Sequence, residues 1–274
     1  MNARDVASIR IVRASIRSPQ ILDKLEFEPP TLSESDGIRY LHFGTEWIQG
    51  AMRSSRPSEL VLDYTQQMMA WLLFLEPKRS DTLGILGLGA GSLLRFSLRH
   101  MPCSAETVEW NPQVTAACRA WFRLPGSDRS TITHADAGEW VLDADNHGRF
   151  IALMVDLYDA SAQGPVRDSE DFYQGCYNAL ADAGVMTVNL FGYHDSYARN
   201  LANIKAAFQG RVLELPEDEA GNRIVLGLKG PLLRIPVAQF IDRAEQVERK
   251  YGLPAVRWAR ALLQGRGGAR SATF

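Results

Sequence analysis

The 274-residue sequence holds three cysteines, Cys103, Cys118 and Cys176. They are too few and too scattered for a disulfide framework or a Cys-x-x-Cys metal site, and reduced thiols in a cytoplasmic protein are the simpler expectation. Surplus positive charge is also missing, since 30 Lys and Arg face 32 Asp and Glu. Binding to nucleic acid rests on clustered cations, so no nucleic-acid partner is expected. No stretch approaches the ~18 apolar residues of a membrane span; the longest, Met68 to Leu75, stops at Glu76-Pro77. Met1 to Arg17 alternates Arg with Ile, Val, Ala and Ser and lacks the apolar core of a signal peptide, so no membrane partner is expected. The five histidines show no metal-ligand spacing, and Ser, Cys and His form no nucleophilic arrangement; no metal is expected.

What is present is ordinary globular material, 46% hydrophobic and 23% charged, enough for one large domain with an appendage. Turn residues between period-two segments from Thr31 to Arg53 predict a small antiparallel meander, and residues 1–57 form the N-terminal segment. Leu60, Tyr64, Met68, Met69, Leu72 and Leu75 recur at helical spacing, which predicts an amphipathic helix lying as a lid over the strands and helices beyond it. From Asp81 onward strands (Thr82 to Leu86, Glu106 to Trp110, Ser130 to His134, Phe150 to Val155, Val185 to Leu190) alternate with helices (Ser92 to His100, Pro112 to Phe122, Ser169 to Leu180, Tyr197 to Phe208). Gly184 is read as the stop of the helix from Ser169. Arg211 to Leu215 and Ile224 to Leu228 close the pattern as a hairpin. The prediction is an α/β, doubly wound Rossmann-like domain over residues 58–230. Residues 231–274 add helices, Val237 to Tyr251 and Pro254 to Gln264, and a tail expected to fray.

The strongest chemical signal is Gly87-Leu88-Gly89-Ala90-Gly91, between a strand and a helix. Glycines there permit a tight bend and let a ligand approach backbone N–H groups at a helix start; taken alone, they could equally serve close strand–helix packing. Glu109 ends the next strand, where a carboxylate can accept from both ribose hydroxyls, and the short Gly-x-Gly-x-Gly spacing favours an adenosylmethionine-type nucleotide over NAD. Asp136, followed by Ala137, could accept from an adenine amino group, cap the next helix, or do both. Asp156 comes directly after the apolar strand Phe150 to Val155 and should face the ligand crevice. With Asp159 it could hold a cation; an amine, protonated near neutral pH, needs a base before it attacks carbon, and Asp156 is the candidate. Trp47, Trp71, Trp110, Trp121 and Trp140 read as packing groups.

In order and spacing these signals, with Tyr64 on the lid and Phe172-Tyr173 opening a later helix, resemble the spermidine synthase (polyamine aminopropyltransferase) family over roughly residues 38 to 228. The resemblance implies a class I adenosylmethionine methyltransferase type of sheet, and decarboxylated S-adenosylmethionine as co-substrate, its aminopropyl group passing to a small-molecule amine with release of methylthioadenosine. It further implies that Glu109 holds ribose, Asp136 and Ala137 the adenine, Asp156 the proton and Asp159 with Tyr64 the amine, that Pro165 lines the nucleotide, and that the protein forms a homodimer.

The sequence departs from the family mainly on the amine side. Ala90 stands where the family carries an Asp that contacts the amine, Tyr64-Thr65-Gln66 replaces Tyr-His-Glu, and Asp156-Leu157-Tyr158-Asp159-Ala160 replaces Asp-Ser-Ser-Asp-Pro. Gln49 only partly replaces a nucleotide-contacting Gln. The alternatives are a methyltransferase using ordinary S-adenosylmethionine and a noncatalytic nucleotide-binding homologue.

Overall fold

The computed structural model describes residues 9–10, 27, 29–45, 47–158, 167–264 and 270–274. After β1 (Ile9–Arg10) comes a three-stranded antiparallel sheet of β2 (Pro30–Ser35), β3 (Ile38–Phe43) and β4 (Gly50–Arg53). Asp36 and Gly37 join β2 to β3 with φ of 52° and 72°, the left-handed pair that matches the twist of a two-residue hairpin.

The expected lid takes a different form. Five residues of α1 (Asp63–Gln67) run into a 3₁₀ turn, Met68–Leu73, in which every residue is buried. A run apolar on all sides cannot leave one face in water, so this turn belongs to the core, and only the Asp63–Tyr64 end reaches the crevice.

Strands and helices then alternate: β5 (Thr82–Leu86), α2 (Ser92–His100), β6 (Ser104–Glu109), α3 (Pro112–Trp121), β7 (Ser130–His134), α4 (Ala137–Leu142), β8 (Phe150–Val155), α5 (Glu170–Ala179), β9 (Leu180–Phe191), α6 (Tyr197–Ala207), β10 (Val212–Glu214) and β11 (Asn222–Lys229). The sheet order is β1-β7-β6-β5-β8-β9-β11-β10, with β11 antiparallel to both of its neighbours. Chain order reverses between β5 and β8, so the carboxyl ends of those strands open a crevice at the topological switch point. β8 is almost wholly buried, as its continuous apolar run requires. Gly184 lies inside β9, where pairing with β8 slips between Phe150 and Ala152; the helix before it ends at Ala179.

β12 (Arg234–Pro236), α7 (Val237–Tyr251), α8 (Ala255–Leu263) and β13 (Ser271–Thr273) complete the chain. The expected frayed end is instead anchored. β13 pairs antiparallel with β12, and Phe274 is buried with its ring 4.8 Å from that of Phe240 and 5.2 Å from that of Phe74. A terminal aromatic outweighs the loop-forming composition before it.

Candidate active site

Gly87 comes after β5 with φ of 90°, and a Cβ there would lie 2.1 Å from the carbonyl oxygen of Asp156. Only glycine lets the two strand ends approach so closely. Gly89 also has positive φ, at 49°, and faces the Gln49 carbonyl, while Gly91 (φ 75°) is the residue from which α2 starts. Backbone bonds from Gly87 N–H to the Val108 oxygen and from Asp156 N–H to the Leu86 oxygen tie this turn to its strands.

Above the turn lies a cleft of about 560 Å³. Glu109, at the end of β6, is 9% exposed and accepts from the backbone N–H groups of Leu88 (2.9 Å) and Asn111 (2.8 Å). Burial lifts its carboxyl above the ordinary range, and the backbone N–H bonds partly oppose this. Across the cleft, Asp156 is partly exposed and accepts from the Tyr64 hydroxyl at Oδ2 (3.2 Å) and from Asn189 Nδ2 at Oδ1 (3.1 Å). Burial raises its pKa too, against the pull of those two bonds. The Tyr64 phenol is held well above its usual value, first by burial and then by the Asp156 charge. A carboxylate raised in this way and held by two donors is a competent proton acceptor.

The structure thus brings Tyr64, Gly87, Gly89, Glu109 and Asp156 to one cleft. Gly91, Asp136 and Ala137 are not among its walls. Asp136 caps α4, accepting from Gly138 N–H (2.7 Å) and Glu139 N–H (3.2 Å), and also pairs with Arg167, whose guanidinium lies 5.9 Å from the Trp110 ring. The capping alternative for Asp136 is therefore met. An adenine amino group would have to share its oxygens with Arg167. Asp159 and Pro165 lie outside the described residues.

The departures have structural counterparts. Ala90 is 2% exposed and packs on β4, where a Cβ added to Gly50 would sit 2.6 Å from its own Cβ. The Thr65 hydroxyl donates to the Leu62 carbonyl (2.6 Å) and Gln66 Nε2 to the Leu60 carbonyl (2.9 Å), so both are occupied by local backbone.

Trp47 and Trp110 are not packing groups: they are 51% and 41% exposed and line the cleft. Asn189, Asp218 and Glu219 were also unforeseen. Asn189 obeys the rule that singled out Asp156, because it stands near the carboxyl end of a parallel strand beside the switch point. Asp218 and Glu219 precede antiparallel β11, which starts at that same edge, opposite Phe191. Among the described residues the cleft walls carry five carboxylates, Asp63, Glu109, Asp156, Asp218 and Glu219, and no Lys, Arg or His.

A doubly wound sheet with a glycine turn at the switch point, a buried carboxylate after the next strand and a second one opposite defines a transferase fold of the class I methyltransferase and spermidine synthase type. No protein-family model matches the chain. It is 33% identical over 232 residues to the polyamine aminopropyltransferase of Neisseria meningitidis serogroup A, covering 84% of this chain and 87% of that one. The chain belongs to the polyamine aminopropyltransferase family. It is also 29% identical over 188 residues to the eEF1A lysine and N-terminal methyltransferase of Mus musculus, covering 65% of this chain and 27% of that protein. Among solved structures, a probable spermidine synthase from Corynebacterium glutamicum superimposes with a TM-score of 0.66 at 18% identity, covering 91% of this chain and 88% of that one.

Proposed function

We propose that the protein transfers the aminopropyl group of decarboxylated S-adenosylmethionine to a small amine. The observation that carries this reading is the charge of the cleft, five carboxylates without a basic residue among the described walls. Such a cavity attracts cations and repels anions, the more strongly for its low-dielectric walls. A decarboxylated sulfonium nucleoside and a protonated amine are both cationic. Ordinary S-adenosylmethionine would bring a further carboxylate into the same field.

The residues fit a nucleoside: Glu109 holds its carboxylate fixed on two backbone N–H groups, with lone pairs left for ribose hydroxyls, and the Gly87–Gly89 turn leaves the floor free of side chains. Asp156 accepts a proton from the attacking nitrogen. That nitrogen forms a bond to the carbon beside the sulfonium, the carbon–sulfur bond breaks, and its electron pair stays on sulfur as neutral methylthioadenosine. Tyr64 and Asn189, each bonded to one carboxylate oxygen, fix the orientation of Asp156. Asp136 with Ala137, Asp159 and Pro165 are carried over from the family as adenine, amine and nucleotide contacts. The three buried free cysteines are consistent with a reducing cytoplasm.

Ala90 favours a second reading. With no carboxylate at the glycine turn to hold an aminopropyl nitrogen, the fold has less reason to reject ordinary S-adenosylmethionine, and a methyltransferase is among the relatives. One assay separates the two. Incubation with decarboxylated S-adenosylmethionine and putrescine should release methylthioadenosine, and Asp156→Asn should slow that release by about 10²- to 10⁴-fold. S-adenosylhomocysteine from ordinary S-adenosylmethionine, with no methylthioadenosine from the decarboxylated form, would establish the methyltransferase instead.

A further inference from the structure

The amine side of the cleft is built from different residues than the motifs announce. Ala90 is packed against β4, Thr65 and Gln66 donate to the carbonyls of Leu62 and Leu60, and none of the three lines the cleft, so none of these positions presents a carboxylate there to an ammonium group. The loop between β10 and β11 offers two. Asp218 and Glu219 line the same cleft as Asp156 and Tyr64. Register places them there, because β11 pairs Asn222 with Phe191 at the carboxyl edge of β9, and the loop before Asn222 must hang over that edge.

Asp218 is held in place. Its Oδ1 accepts from the backbone N–H groups of Ala220 and Asn222, each at 2.9 Å, whereas Oδ2 takes a single bond, from Asn222 Nδ2 at 3.2 Å. Its charge reaches Tyr64, adding to the influences that keep the phenol protonated. A separate observation points to a donor-rich ligand. Asn189 lines the cleft at 3% exposure, donates through Nδ2 to Asp156, and leaves its Oδ1 buried without a hydrogen-bond partner. Asn189 Oδ1 is thus an acceptor beside Asp156 that no group of the described residues satisfies.

We propose that Asp218 is a specificity-determining residue that receives the distal ammonium of a linear diamine, while Asp156 and Asn189 Oδ1 receive the attacking nitrogen. The charge absent at Ala90 is thereby supplied from the loop between β10 and β11. This inference rests on the aminopropyl-transfer reading for the identity of the site, but its test does not require turnover.

The test is calorimetric titration of the protein saturated with methylthioadenosine, using putrescine and n-butylamine, which share a four-carbon stem and differ in the second ammonium. Wild type should prefer the diamine. Asp218→Asn keeps an oxygen for the two loop N–H groups and removes the charge; it should weaken putrescine about 10- to 100-fold, as loss of a charge-assisted hydrogen bond does, and leave butylamine within about twofold. Asp218→Glu should restore part of the preference, and an unchanged melting temperature would show that the loop is intact. Equal affinity of wild type for the two amines, or a preference that survives Asp218→Asn, overturns the assignment. Failure to release methylthioadenosine from decarboxylated S-adenosylmethionine, with the diamine preference intact, would overturn the transfer reading and leave Asp218 as the anchor.

Discussion

The two halves of the cleft are built on different principles. The half proposed for the nucleoside is made by backbone: glycines in left-handed conformation, strand ends stitched by main-chain bonds, and Glu109 locked on two N–H groups. The half proposed for the amine is made by side chains from distant segments, with Tyr64 from α1, Asp156 after β8, Asn189 in β9 and Asp218 from the loop before β11. A site held by backbone tolerates little change, whereas one held by side chains can exchange partners while keeping its charge. The departures from the family accordingly fall mainly on the amine side, with Gln49 the exception.

The largest effect is expected at Asp156, the proposed base. Asp156→Asn should lower aminopropyl transfer by about 10²- to 10⁴-fold, the usual contribution of a positioned general base. Methylthioadenosine affinity, measured by calorimetry, should stay unchanged. A matching loss of affinity would mean that the two halves are not separable.

On the nucleoside side, Glu109→Gln should weaken methylthioadenosine about 10- to 100-fold through loss of charge-assisted bonds to ribose. The amide also turns an N–H group toward Leu88 or Asn111 N–H, both of which need acceptors. Diamine affinity in the presence of saturating nucleoside should be unaffected.

Restoring the carboxylate typical of the family should fail. Ala90→Asp places a charge against β4, where Gly50 already approaches the Ala90 Cβ. Overpacking alone costs about 1–3 kcal/mol, and an unpaired buried charge adds to it. Chemical denaturation should show the loss. Ala90→Asp combined with wild-type stability and tighter putrescine binding would place residue 90 in the amine half after all.

The difference between the halves also decides how much could be read in the sequence. The glycine turn, Glu109 and Asp156 were legible because each sits at a fixed offset from a strand end, and period-two and apolar patterns locate strand ends well. Asn189 lay within reach of the same rule. Asp218 did not, because its place depends on which way β11 runs and on its register with β9, neither of which local pattern determines. Trp47 and Trp110 were misread because aromatic composition does not distinguish a core face from a cleft wall. The segment Met68–Leu73 has helical spacing but is apolar on every side, so tertiary burial overrode the amphipathic reading. The last residues looked like a loop until Phe274 found its pocket.

The smallest expected effect concerns pH. Burial raises the carboxyl pKa of both Asp156 and Glu109 above the unfolded values, about 3.9 and 4.3. The folded chain therefore holds these protons more tightly than the unfolded one. Their contribution to stability is complete below the unfolded values and is lost as pH rises through the folded ones. At neutral pH both carboxylates consequently weaken the fold. Asp156→Asn, which keeps an acceptor for Asn189, should melt higher than wild type at pH 7, and this advantage should shrink toward pH 4. Catalysis runs the opposite way: transfer should fall as pH drops through the raised Asp156 value, because only the ionised form accepts a proton. A melting advantage independent of pH would show that the gain comes from packing, and the raised carboxyl would no longer explain the acid limb of the rate.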